Sequence, residues 1–143
     1  MSAARQLIAI ALGFLAVGTI SSQEATISAA ETKSLVGIVL RHRGFPSSSQ
    51  YCQIEPLDKE GKPFLLEYYS FAASCDFPNT AATSAWGTYV VSPRTGDVLE
   101  YDFCEWFRYA DLRRVQKQIM LRTHANEADE ARYREKIDCP KAK

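Results

Sequence analysis

The sequence predicts an α+β domain: an N-terminal helix packed on a small antiparallel sheet of three to four strands, followed by a C-terminal helical extension. Three observations predict it. Trp86 to Cys104 reads as a β-hairpin, and Glu31 to Arg43 carries apolar residues at helical spacing. Beyond Cys104 the apolar period changes from two to about 3.6 residues.

The chain of 143 residues opens on a different signal. Arg5 precedes an uncharged apolar run from Leu7 to Ile20. A membrane-spanning helix needs about 20 apolar residues, so this run suits the core of a secretory signal peptide better than an anchor. Small residues follow and place cleavage after Ser22, with a point as late as Ala30 also available. The alternative is a buried N-terminal helix. No cysteine directly follows the apolar run, which argues against a lipid anchor. Residues 1–22 are therefore read as a signal peptide and 31–143 as a single domain, periplasmic or secreted. No membrane span is expected once the leader is removed.

Within Glu31 to Arg43, Leu35 is spaced from Ile38 and Val39, and Val36 from Val39 and Leu40, as one face of a helix requires. Thr32 or Ser34 is the expected cap, and Gly44 with nearby Pro46 ends the helix. The β-branched content also fits a strand; the flanking punctuation favours the helix. Phe45 to Ser49 reads as a loop, Tyr51 to Pro56 as a short strand and Asp58 to Lys62 as a turn about Gly61. Phe64 to Ala73 is an aromatic-rich strand, and Ser74 to Ala85, rich in small residues, is a long loop.

The hairpin is the clearest element. Thr88 to Val91 and Val98 to Phe103 flank Ser92-Pro-Arg-Thr-Gly-Asp97, in which Pro93 presets φ and Gly96 supplies the positive φ of a short loop. In the second run Val98, Glu100 and Asp102 alternate with Leu99, Tyr101 and Phe103, which predicts one polar face and one buried face. Further on, Leu112, Val115 and Ile119 form a helical stripe with Asp111 as its cap. A second helical segment is expected from Asn126, with Asp129 at the third helical position and Ala128, Ala131, Tyr133 and Ile137 along it. Whether Thr123 to Asn126 breaks one helix into two is left open by the pattern.

This order of elements, with Tyr89-Val-Val-Ser-Pro-Arg-Thr-Gly-Asp-Val98 as its sharpest part, resembles small exported bacterial domains of the PepSY-like type over residues 31–103. The resemblance implies a helix on a three- or four-stranded sheet and a binding, inhibitory or regulatory role. It carries no functional residue over. The long loop 74–85 and the helical extension depart from the pattern.

The chemistry-bearing residues are few. Cys52, Cys75, Cys104 and Cys139 form an even set in an oxidising compartment, which favours two disulfides, Cys52–Cys75 and Cys104–Cys139. There is no C-x-x-C pair, and His42 and His124 lie far from any cysteine, so no metal and no cofactor are expected. His42 at a helix end has a sufficient role in meeting the helix C-terminus, and His124 is expected in solvent. Glu100, Asp102 and Glu105 are the acid/base candidates, set against a solvated strand face. Formal net charge is zero, with acid concentrated in 55–105 and base in 108–143, which does not suggest nucleic acid.

Tyr101, Trp106 and Tyr109, from a dense aromatic cluster, are the expected interface anchors. Export, small size, disulfides and the lack of a catalytic set together predict a non-catalytic binding protein with another protein as partner. Its expected role is that of a periplasmic inhibitor or immunity protein. The alternatives are a small hydrolase using the three carboxylates, or an envelope-associated structural module. The oligomeric state is not legible.

Overall fold

The structure, a computed structural model, describes residues 24–45, 51–58, 65, 67–76 and 85–138. The expected signal peptide, the Gly61 turn, most of the loop 74–85 and Cys139 lie outside the described residues.

Helix α1 spans Ala29–His42. Its cap is Ser28 rather than Thr32 or Ser34. The Ser28 hydroxyl accepts from the Glu31 backbone while the Glu31 carboxylate accepts from the Ser28 backbone, a reciprocal capping box. Thr32 and Ser34 lie one turn further in and donate back to the carbonyls of Ala29 and Ala30. Gly44, at φ +84°, ends the helix where the sequence places it. Leu35, Val36, Val39 and Leu40 are buried. At about 1.5–3 kcal/mol per buried side chain, that face outweighs the weak helix propensity of its β-branched residues.

Five antiparallel strands follow in simple sequential order: β1 (Cys52–Pro56), β2 (Tyr69–Cys75), β3 (Ala85–Val91), β4 (Val98–Glu100) and β5 (Glu105–Trp106). The α+β class is as the sequence predicts, with one more strand. β2 begins at Tyr69 rather than Phe64 and takes in Ser74 and Cys75. Cys52 and Cys75 face each other directly in the β1–β2 register, 4.1 Å apart at Cα, and are disulfide-bonded. A tight Gly61 turn would have offset them; β1 ends at Pro56 and β2 starts at Tyr69, and that spacing in sequence allows the direct pairing.

The β3–β4 hairpin closes as its residues dictate. Gly96, at φ +70°, donates to the Ser92 carbonyl at 2.9 Å, and Ser92 donates to the Asp97 carbonyl at 3.0 Å. A Cβ at Gly96 would come within 2.7 Å of Ile119, so the position excludes side chains on two grounds.

The expected polar face of β4 does not exist. Val98, Leu99 and Glu100 are all buried, because helices cover both faces of the sheet. Phe71, Tyr89, Val91 and Val98 pack with α1, with Phe107 and with Leu112 and Ile119 of α2 (Ala110–Thr123). Val90 and Leu99, on the other face, pack with Tyr133 of α3 (Glu127–Lys136) and with Ile137 just beyond it. Strand β4 also stops at Glu100; Phe103, expected on the buried face, is 71% exposed in the turn that follows.

The helical extension is two helices. His124 adopts the left-handed conformation at the end of α2, and Asn126 caps α3 in a reciprocal box with Asp129, as predicted. Asp111 is not the cap of α2: Tyr109 holds that position without a side-chain bond. Val115 lies largely in solvent, and the buried stripe runs through Leu112, Gln116, Ile119, Met120 and Thr123 instead. Gln116 is there for a reason, since its amide donates to the Gly96 carbonyl at 3.0 Å and ties α2 to the hairpin turn.

Candidate functional site

The end of α1 and the middle of the sheet build a charged cluster that the sequence does not announce. Arg43, at the C-cap, reaches over the sheet; its Nη1 donates to the Tyr89 hydroxyl at 2.9 Å and to Glu100 Oε2. Tyr89 and Glu100 are register partners on β3 and β4, so their side chains share a face. The Glu100 side chain is 2% exposed; burial raises its pKa, and Arg43 works against the rise. Gly87 leaves room for this carboxylate, as a Cβ there would stand 2.9 Å from Glu100 Oε1. A small hollow of about 60 Å³ opens beside the cluster, bounded by Leu40, Phe45, Gly87 and Phe103.

Of the three acid/base candidates, Glu100 is the buried one. Asp102 Oδ2 accepts from the Thr88 backbone at 2.9 Å and is exposed, and Glu105 is exposed on β5. Catalysis by a carboxylate pair needs a second group free to act as acid or base across a shared cleft. Here the buried member is committed to an arginine and the others face solvent.

The turn between β4 and β5, Tyr101 to Cys104, is held tightly. Tyr101 donates to the Thr88 carbonyl at 2.8 Å, and Cys104 donates to the Tyr101 carbonyl at 3.3 Å. Cys104 sits at φ +56° and is disulfide-bonded. Its expected partner, Cys139, lies outside the described residues.

The three predicted interface aromatics do not form one patch. Tyr101 and Trp106 are half-buried against the cluster that holds Val90 and Leu99. The Tyr101 hydroxyl donates to the Asp138 carbonyl at 3.4 Å, and the Arg134 guanidinium lies 5.0 Å above the Trp106 ring. Tyr109 packs against the other cluster, stacked on His42 at 4.0 Å and on Phe107 at 5.9 Å. His42 Nε2 also meets Asp111 Oδ1 at 2.7 Å. His124 is exposed. Phe103, expected in the core, stands exposed in the turn after β4. No glycine or proline marks its turn, and period-two alternation assigned it to the core.

A larger cleft of about 610 Å³ opens between the start of β2, the hairpin turn and α3. Its charges are matched in pairs: Arg94 with Glu24 at 2.8 Å, Lys136 with Glu67 at 3.0 Å, and Arg132 with Asp129 at 2.6 Å. Behind it, Asp97 takes both Arg134 Nε and Nη2, at 2.5 and 2.9 Å, and Glu130 is shared by Arg113 and Arg134. Among the described residues, no group of three or more His, Cys, Asp or Glu side chains could hold a metal ion. These arrangements hold elements in place; none presents an activated nucleophile or an acid/base pair.

Comparison with known proteins gives this surface its meaning. The family described as T6SS, Immunity protein Tgi2PP, matches residues 26–131. A chain in a solved structure of a type VI secretion system effector–immunity complex from Pseudomonas protegens superposes with a TM-score of 0.67 at 29% identity. The similarity covers 82% of the present chain and 94% of that one. No curated protein matches. The PepSY-like resemblance is thereby overturned. Its Thr-Gly hairpin motif reports the positive φ that a short loop demands, which unrelated hairpins share. The match over most of the described residues, on a fold that holds its carboxylates in structural pairs, shows that this non-catalytic, protein-binding chain belongs to the T6SS immunity protein Tgi2PP family.

Proposed function

We propose that the chain is the periplasmic immunity partner of a type VI secretion effector, which it neutralises by binding and covering the effector's working surface. The observation that carries this reading is the family match over residues 26–131, joined to a structural match covering 94% of a chain in an effector–immunity complex. The pairing of Glu100 with Arg43 supports it, because the best acid/base candidate of the sequence is committed to holding the fold. The hydrolase alternative therefore loses its main group.

Export is part of the proposal. The apolar run Leu7–Ile20 is read as the leader, and the Cys52–Cys75 bond suits an oxidising compartment. Ile27 is buried and Ser28 caps α1, which supports cleavage after Ser22 over a cut after Ala30 that would remove both. Tyr101, Trp106 and Tyr109 remain proposed contacts, each through the part of its ring that stays accessible.

The test is complex formation. The purified mature chain is mixed with a type VI effector from the same genome and run on size-exclusion chromatography with light scattering. The expected result is one stoichiometric complex that survives dilution. Two independent peaks at every ratio would overturn the proposal.

A further inference from the structure

The immunity reading leaves open which part of the chain enters the effector. Among the described residues, three large apolar side chains are exposed: Phe103 at 71%, Leu121 at 70% and Val115 at 38%. A single exposed apolar residue needs no explanation. What separates Phe103 from the other two is the turn that carries it together with the exposed acids beside it.

Its turn is fastened to β3 just ahead of the residue and closes on itself just after it. Tyr101 donates to the Thr88 carbonyl, and Thr88 in turn donates to Asp102 Oδ2. Cys104 closes the turn onto the Tyr101 carbonyl and carries a disulfide. A side chain presented on backbone already fixed gives up little further freedom on binding, which favours its use as an anchor. Leu121 and Val115 also stand on a fixed backbone, that of α2, but among Arg114, Lys117 and Arg122 and not beside an acidic flank.

The surroundings indicate the kind of pocket that receives it. Phe103 borders the hollow left open by Gly87, so a partner wall can close on both sides of the ring. From Asp97 to Phe107 the chain carries four acids and no base; Arg108 follows, and Arg43, which lines the same hollow, is paired with Glu100. Asp102 and Glu105 are the exposed ones, and they flank Phe103. Complementarity to that pattern is an apolar pocket with a basic rim.

We propose that Phe103, on the turn Tyr101–Cys104, is the anchor residue of the immunity interface, and that it seats in an apolar effector pocket rimmed by lysine or arginine side chains. This rests on the immunity reading above and deepens it.

The test measures Kd and its salt dependence for a type VI effector from the same genome, by titration calorimetry or biolayer interferometry. Phe103→Ala, at an exposed site, keeps the wild-type melting temperature and weakens binding by about 30-fold or more, the range of an anchor residue. Leu121→Ala stays within about threefold of wild type, as a residue outside the interface does. Asp102→Asn retains an acceptor for the Thr88 N–H while removing the charge; its binding loses part of the salt dependence. Asp102→Ala releases the turn and weakens binding more than Asp102→Asn does. If wild type binds and Phe103→Ala binds within about threefold of it, or changes only self-association, the anchor proposal is overturned while the immunity reading stands. If wild type does not bind the effector, the immunity reading falls and the anchor with it.

Discussion

Glu100 and Asp97 are nearly removed from solvent, and each is held by an arginine from a distant part of the chain. Taking such a pair out of water costs about as much as its attraction returns, so neither is an argument for stability by itself. Breaking one is different, because it strands a buried charge. Glu100 stands on an alternating strand, and only the tertiary structure brings Arg43 and α1 over it. That is why its burial could not be read from residues 98–103. Asp97 gives a measurable consequence. Burial raises its pKa from 3.8 to about 6, against the pull of Arg134; Glu130 raises it further and Arg113 lowers it. The native state therefore holds a proton that the unfolded chain has released between these two values. The stability from this group is fully present below the unfolded pKa and is lost as pH rises through about 6. Asp97→Asn keeps the neutral form throughout. Relative to this variant, the wild type should lose stability across that window and stay level above it. Urea midpoints for the two proteins at several pH values check this, and a constant gap would contradict it.

At the scale of elements, the local signals that were legible are those a few neighbouring residues decide. Gly44 ends α1, Gly96 closes the hairpin, and Asn126 with Asp129 starts α3; each acts through its own φ or its own side-chain bond. Ser28 was missed as a cap because it lies ahead of the apolar stripe, although its spacing from Glu31 is that of a capping box worth about 1 kcal/mol. Asp111 was misjudged because its carboxylate is engaged elsewhere, by His42 and by the Leu112 backbone. The short β4 and its turn escaped notice since nothing in Tyr101-Asp-Phe-Cys104 breaks a strand locally. We propose that the second disulfide, Cys104–Cys139, ties this turn to the chain beyond α3. Replacing Cys104 by serine should then cost about 3 to 4 kcal/mol on the loop-entropy argument. Non-reducing peptide mapping should recover the 104 and 139 peptides linked; a Cys104 linked to Cys52 or Cys75 would refute the arrangement.

At the scale of the molecule, helices on both faces of the sheet leave few places where chemistry could occur. The first face holds α1 and α2, and α3 covers the second. What faces outward is a set of matched ion pairs and a rigid turn bearing Phe103. The composition and the missing catalytic set made a non-catalytic binding role legible. The exposure of Phe103 was not, because it depends on where β4 ends. The role proposed for this chain is to protect a periplasm from a type VI effector. It is tested most directly by survival of cells that export a type VI effector from the same genome to their own periplasm, with and without the chain. The account predicts that the full chain restores growth, whereas a form lacking residues 1–22 does not. Equal killing in the presence of well-folded, exported chain would contradict it.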